Sequence, residues 1–399
     1  MDVHVMTDNF TRRPVWAQID LDAAAANMRN IRRLVGPDVL ITSAVKANAY
    51  GHGSVEMARV YLESGADRLA VACLDEAVEL RLAGIKVPIL ILGHTDGRRA
   101  QEAVKYGIDV AVFHYEDAVL FSREAVRQGT KARIHLAVDT GMGRIGFRRS
   151  EDSIAAIVRI AALPCLSIEG MFTHFAVSDE ADEADIAYTK RQYDTFSWFC
   201  RRLAAEHIHI PVVHCSSSAG TLAYPDFRCD MVRTGIIQYG YHPSDTVQSL
   251  SFVPQPVMSL HCCITHIKQI APGETISYGR HFVAQRPTVI ATIPIGYADG
   301  YPRLLSNKAD VLVHGQRVRQ VGNICMDQCM LDVTDIENPA VGDEVVLFGR
   351  QGAEEIRLEE LARIIGTIDH EILCNINRRV PRIYTRNGSI VRRLEYLFA

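Results

Sequence analysis

Across residues 14–241, short β-branched runs alternate with segments whose apolar residues recur at helical spacing, the pattern of parallel strands joined by crossover helices. The runs at 39–45, 68–73, 88–92, 109–113, 132–138, 166–172, 211–214 and 229–232 predict eight strands. Helix signals fall between them: Asp20 or Asp22 before AAAANMRNIRRL with Gly36 behind it, Ser54 before VEMARVYLE with Gly65 behind it, and Ser150 or Ser153 before IAAIVRIAAL. Eight such units in roughly 230 residues suit a (β/α)8 TIM-type barrel better than a doubly wound sheet of five or six strands. From about residue 249 the texture changes to long β-type runs, VMSLHCCITHIKQI, TVIATIPIGY, DVLVHGQRVRQVGNICMDQCMLDV and DEVVLFG, punctuated by PG, DG and HGQ turns. We therefore expect a barrel over 14–248 and a mostly β C-terminal domain over 249–399, with a linker near 241–256 and two short helices, 358–365 and 370–378, closing the second domain.

Composition narrows the classes. With 399 residues the chain exceeds the ~250–300 at which one core stops growing, which supports two domains. Hydrophobic residues at 48% and charged residues at 23% are ordinary globular usage. A formal net charge of −4 gives no field to draw nucleic acid or anionic lipid. The 10 cysteines are sparse and irregular, the opening MDVHVMTDNFTRRP lacks the apolar core of an export signal, and no apolar run approaches the ~18–20 residues of a membrane span. A reduced, cytoplasmic protein acting on a small molecule is the expectation. The acidic run 179–185 reads as a solvated loop.

In a (β/α)8 barrel, chemistry sits where the strands end. Strand one runs into Lys46-Ala-Asn-Ala-Tyr50-Gly-His-Gly, strand five into Asp139-Thr-Gly-Met-Gly-Arg144, strand six into His174, strand seven into Ser216-Ser217-Ser218 and strand eight into Arg233-Thr-Gly-Ile. A lysine buried near other cations is pushed toward its free amine, which forms Schiff bases. Alone, Lys46 reads equally well as a lysine snorkelling to the rim. The loops after strands seven and eight are the usual phosphate cradle of this fold, and Arg144 and Arg233 add charge that cannot be lost as a proton. Lysine, cradle and arginine together describe a pyridoxal phosphate site. Gly141-Met-Gly143-Arg-Ile-Gly146 matches a dinucleotide fingerprint in form, but Phe147-Arg-Arg-Ser150 intervenes where a helix should open at once. Cys325 with Cys329, and His207 with His209, lack second ligand pairs, so no metal site is expected.

AVKANAYGHG (44–53), DTGMGRIGF (139–147), THFAVSDE (173–180), MVRTGIIQYG (231–240), SYG (277–279), PIGYADGYPR (294–303) and NICMDQ (323–328), in this order, resemble the alanine racemases, pyridoxal-phosphate enzymes with a (β/α)8 barrel followed by a β domain. The resemblance spans nearly the whole chain. It implies an isomerase that interconverts L- and D-alanine and supplies D-alanine for peptidoglycan. Lys46 would hold the cofactor and act as one acid/base group, with Tyr278 as the other. Tyr50, Ser218, Gly235 and Ile236 match the phosphate positions, Arg233 the partner of the pyridine nitrogen, and His174 a support for that arginine. Arg144 and the Met326 amide match groups near the phenolic oxygen and the substrate carboxylate, and Asp179, Tyr297 and Arg303 match the access corridor. The family also works as a head-to-tail homodimer in which the tyrosine acts in trans.

The chemistry suits these assignments. Racemisation removes the Cα proton from one face and returns one on the other, so two groups must flank a planar carbon. A phenol is a poor base at neutral pH unless nearby cationic charge favours its phenolate. A guanidinium opposite the pyridine nitrogen leaves that nitrogen unprotonated and weakens the electron sink, which disfavours transamination. Departures from the family pattern are also present: Ala137 stands where many members carry a carbamylated lysine that supports the arginine, Arg378 replaces a common tyrosine, Ser217 a frequent asparagine and Asn323 a frequent arginine. They leave a serine or broad-specificity racemase as the alternative. A decarboxylase would place a carboxylate at the pyridine nitrogen, and a pyridoxal-phosphate carrier would resemble the barrel alone.

Overall fold

The computed structural model describes residues 13–248 and 251–397. The opening segment read above for an export signal lies almost wholly outside them, as do residues 249 and 250 beside the expected domain boundary. Contacts group residues 23–49 and 53–255 into one unit, and residues up to Asp22, 50–52 and 256 onward into another.

In the first unit eight parallel strands follow one another in chain order: Leu40–Ala44, Arg68–Val71, Ile89–His94, Asp109–Val112, Ala132–Asp139, Leu166–Phe172, Val213–His214 and Met231–Thr234. The eighth returns to pair with the first, Met231 opposite Leu40. Between the seventh and eighth, Arg233 N–H donates to the Ser216 carbonyl at 2.9 Å and Asp230 N–H to that of Val213 at 3.2 Å. The eight strands expected from the β-branched runs thus form a nearly closed barrel with helices between them, each strand ending toward a common mouth. Helix Glu151–Ala161 starts as its sequence signal says, Ser150 accepting from the Ser153 N–H. Ser54 is not a cap but the first residue of helix Ser54–Glu63, behind Gly53, and its hydroxyl donates to Glu79. Part of the acidic run opens helix Glu183–Ala205, capped by Asp182.

The second unit is built on a sheet whose order is His266–Ile270, Thr288–Ile293, Cys329–Asp332, Gln316–Val321, Asp310–Val313, Glu344–Gln351, Met258–Cys263, Val15–Asp20, Arg382–Arg386 and Ser389–Leu394. Strand Val15–Asp20 lies antiparallel to Met258–Cys263 and parallel to Arg382–Arg386. Sequence placed these residues with the barrel; their backbone bonds place them here. Helices Leu358–Ile365 and Asp369–Asn375 stand near the two expected positions, but they do not close the domain. The chain continues into the hairpin of Arg382–Arg386 with Ser389–Leu394, turned by Asn387 and Gly388 at φ 51° and 71°, the positive values that a two-residue hairpin turn needs.

Arg382 is the largest fully buried side chain of this unit. Its guanidinium donates to the carbonyls of Gly51 (2.9 Å), Ile376, Asn377 and Val380 (each 2.6 Å), while the Tyr384 hydroxyl donates to the His52 carbonyl. These bonds tie residues 51 and 52, just past Lys46, to the β unit. Gly51 must be glycine: its φ is 83°, and a Cβ would sit 2.2 Å from the Leu373 carbonyl oxygen. Arg382→Leu would leave the carbonyls of Gly51, Ile376 and Val380 without this donor, while that of Asn377 keeps the Val380 N–H, so we expect a loss of roughly 3–5 kcal/mol. Equilibrium urea unfolding checks this, and an unchanged midpoint would mean that those carbonyls find water instead.

Candidate active site

At the barrel mouth, Lys46 follows the first strand and opens a left-handed turn: Ala47, Asn48 and Ala49 have φ of 52°, 55° and 52°, with ψ between 45° and 53°. L-residues resist this conformation by about 1–2 kcal/mol each. Local bonds hold it. The Ala47 N–H donates to Glu76 Oε1 at 2.6 Å, the Ala49 N–H to the Val45 carbonyl at 2.9 Å, and the Ser54 N–H to Asn48 Oδ1 at 3.1 Å. Strain maintained by surrounding structure marks a functional turn. Tyr50 ends it, buried, its phenol kept protonated by burial and by nearby Cys374.

Arg233, on the eighth strand, is 5% exposed. Nη1 donates to His214 Nδ1 at 2.9 Å and to the His214 carbonyl at 3.1 Å; Nη2 donates to the carbonyls of Thr173 (2.7 Å) and Cys215 (3.2 Å) and to His174 Nδ1 (3.3 Å). Burial, with Arg144 close by, lowers its pKa to about 10, so it remains a cation at neutral pH. His174 is driven down to about 3 by burial and by Arg233, Arg144 and Lys46, so it is neutral, and because the guanidinium can only donate, Nδ1 carries the lone pair that accepts from it. Gln192 fixes the loop behind it, accepting from the Ala176 N–H and donating to the His174 carbonyl. Among the described residues Nε of Arg233 has no hydrogen-bond partner, and it is the N–H left to meet a ligand acceptor.

Ser218 opens the short helix Ser218–Ala223, and its Oγ accepts from the Gly235 N–H at 2.8 Å, joining the loops after strands seven and eight. Ser217, at the cap position, makes no side-chain bond to the helix, which leaves that N-terminus open to an anion. Ile236 begins the turn behind Gly235. On the fifth strand's loop, Asp139 Oδ1 accepts from the N–H groups of Gly141 and Gly143, and Arg144 is exposed without an ion-pair or hydrogen-bond partner among the described residues. No helix opens on these glycines; the next begins at Glu151, which disposes of the dinucleotide reading. Ala137 lies in an apolar cluster with Ala111 and Phe172, flanked by Leu92 and Phe113.

In the β unit, Tyr278 is 69% exposed beside a cavity of about 450 Å³ lined by Ser277, Cys325, Met326, Asp327 and Gln328. Asn323 grips the backbone on both sides of the tyrosine: its carbonyl accepts from the Ser277 hydroxyl at 2.6 Å and its amide donates to the Tyr278 carbonyl at 2.7 Å. Ser277 is held at φ 68°. Tyr297 and Arg303 attach to the same loop, the Tyr297 N–H reaching the Cys325 carbonyl and the Arg303 guanidinium that of Ile324. Gly296 lets the segments approach, since a Cβ there would lie 2.3 Å from the Cys325 oxygen. Arg378 lies over the Tyr396 ring, its Cζ 5.3 Å from the centroid. In the barrel unit, the Asp179 carbonyl accepts from Ser244 and Thr246.

Lys46, Arg144, His174, Ser218, Arg233, Gly235 and Ile236 thus fall in the barrel unit, and Tyr278, Met326, Tyr297 and Arg303 in the β unit, to which Tyr50 also belongs by its contacts. His214 escaped notice although it ends a predicted strand; a polar residue at that place was the available signal.

The family model "Alanine racemase, N-terminal domain" matches residues 19–243, and "Alanine racemase, C-terminal domain" matches residues 257–384. Alanine racemase 1 of Clostridium acetobutylicum is 46% identical over 96% of this chain and 99% of its own. Alanine racemase of Methanococcus maripaludis is also 46% identical, over 93% and 98%. Among solved structures, alanine racemase of Clostridium difficile 630 superposes with a TM-score of 0.92 at 41% identity, covering 97% of this chain and all of that one (100%). The Bacillus anthracis alanine racemase with bound L-Ala-P gives 0.92 at 39%, over 98% and 99%.

Proposed function

Because this chain belongs to the alanine racemase family and is an enzyme that interconverts L- and D-alanine, we propose that it does so with pyridoxal phosphate at the barrel mouth and with Lys46 and Tyr278 as its two proton-transfer groups. The observation that carries the cofactor assignment is the donor set. A buried guanidinium with every nitrogen except Nε engaged is suited to an unprotonated ring nitrogen, and the Ser218–Gly235 junction, with the uncapped helix start, is suited to a phosphate. Bound there, pyridoxal phosphate supplies the electron sink for negative charge at Cα.

The chain's own groups do the rest. Lys46 holds the cofactor and moves a proton at one face of Cα; Tyr278 moves one at the other. Tyr50, Ser218, Gly235 and Ile236 hold the phosphate, Arg233 meets the ring nitrogen, and His174, neutral, steadies Arg233. Arg144 and the Met326 amide orient the phenolic oxygen and the substrate carboxylate. Ala137 gives Arg144 no polar support, so bound ligand must order that side chain. Asp179, Tyr297 and Arg303 line the access corridor.

Tyr278 and Met326 are 69% and 53% exposed in the single chain, which favours a head-to-tail homodimer in which each tyrosine completes the other protomer's site. No helix among the described residues is long and apolar enough to cross a membrane; we place the enzyme in the cytoplasm, supplying D-alanine for peptidoglycan. Hydroxylamine treatment followed by dialysis is expected to abolish racemisation, and pyridoxal phosphate but not pyridoxal to restore it. Restoration by pyridoxal would remove the phosphate cradle from the account. Chiral analysis of products from each L-amino acid in deuterated water then ranks alanine against serine, and release of carbon dioxide would expose a decarboxylase.

A further inference from the structure

Behind Arg233 the barrel interior holds polar groups that the two-group mechanism does not use. His214 Nε2 lies 3.0 Å from His135 Nδ1, and His135 Nε2, which has no hydrogen-bond partner, lies 3.8 Å from Asp109 Oδ2. All three side chains are essentially inaccessible, at 0%, 1% and 1%. They come from different strands: Asp109 starts the fourth, His135 is inside the fifth and His214 ends the seventh. Gly170 of the sixth strand makes the room. A Cβ there would stand 2.6 Å from His135 Nδ1, closer than real contacts come. The His214 ring is stacked on Phe172 at 5.3 Å, so it cannot turn aside.

Proton positions on this chain are determined from both ends. Arg233 has no acceptor, so Nη1 must donate and His214 Nδ1 must offer a lone pair. Burial, reinforced by Arg233, keeps His214 neutral, and its one proton is therefore on Nε2. That proton points at His135 Nδ1, which must accept; the His135 proton is then on Nε2, facing the carboxylate. Asp109 is an anion: burial opposes its charge, but His135 and Arg133 outweigh that and hold its pKa below the ordinary value, Arg133 Nε donating to Oδ1 at 2.6 Å. Arg68 and Arg81 are the other cations that act on the chain, Arg68 on His214 and Arg81 on Asp109.

We propose that Asp109, His135 and His214 form a directed polar chain that positions Arg233, with Asp109 setting the tautomer of both imidazoles so that His214 presents a lone pair to the guanidinium. The opposite tautomer of His214 would set an N–H against the Arg233 N–H and displace the guanidinium whose Nε is left for the ligand. The three are positioning residues. What the chain does for catalysis rests on the assignment of Arg233 to the ring nitrogen; its tautomers do not.

Histidine-labelled ¹⁵N holoenzyme, observed by long-range ¹H–¹⁵N correlation, tests the tautomers directly. His135 and His214, identified from the spectrum of His135→Gln, are expected to show the Nε2–H pattern. An Nδ1–H pattern for His214, or protons on both of its nitrogens, overturns the proposal. In Asp109→Asn the His214 pattern should become mixed or reversed, and kcat should fall roughly tenfold, the scale of losing an orienting partner, with KM for alanine within about twofold. A variant with both properties unchanged also overturns it. Should Asp109→Asn not fold, the His135 pair decides: glutamine can accept from His214 and donate to Asp109, whereas leucine can do neither, so H135Q should recover the kcat that H135L loses. Equal losses overturn the directed chain. If the wild-type tautomers are as stated but kcat is indifferent to them, the Arg233 assignment has failed instead.

Discussion

Replacing Lys46 with alanine is expected to lower racemisation from either enantiomer by at least roughly three orders of magnitude, about 4 kcal/mol of transition-state stabilisation. On the roles proposed for it, two functions leave with one amine: the hold on the cofactor and the proton transfer at one face. The purified variant should also lose the visible absorbance of the wild-type protein, which separates loss of the covalent hold from loss of the base alone. The fold should survive. Lys46 is only half-buried, and the left-handed turn behind it is held by the backbone and by Glu76 and Asn48, none of which involves the lysine side chain. Retained absorbance with more than a tenth of the activity would take Lys46 out of its assigned role.

Why the barrel could be read from sequence and other features could not is a matter of range. Each barrel strand carries its own short apolar or β-branched run, and three of the helices carry start or stop signals, so 166–172 could be placed to the residue and the others to within one or two. Because strand ends supply the mouth of this architecture, Lys46, His174, Ser218 and Arg233 followed once the strands were counted. Val15–Asp20 carries a strand pattern too, but its partners begin at Met258 and Arg382, and no local feature says which sheet will take it. The turn at 47–49 is harder still: alanine and asparagine there would suit a right-handed helix, and the left-handed form depends on Glu76, far along the chain. Asp109, His135 and His214 are single polar positions in three separate strands. Only closure of the barrel makes them neighbours, with Gly170 the one hint that something needed space.

Tyr278→Phe is expected to produce an asymmetry that steady-state racemisation cannot show. The enantiomers of alanine have equal free energy, so the forward and reverse kcat/KM must remain equal in any variant, however one-sided the damage. Exchange without inversion is not bound in this way. With the phenol gone, Lys46 can still remove and return the Cα proton on its own face, so the enantiomer that presents hydrogen to the lysine should keep incorporating solvent deuterium with retained configuration. The other enantiomer must start with the missing group, and its proton removal should slow by roughly 10²–10⁴. The substitution removes a single oxygen from a side chain that is 69% exposed, and Asn323 holds the tyrosine through its main chain, so the surrounding backbone has no reason to move. Lys46→Ala, supplied with pyridoxal phosphate and no external amine, should show the mirror-image preference. Equal slowing of exchange for both enantiomers in Tyr278→Phe would mean that one group serves both faces, and the opposed-group assignment would fall.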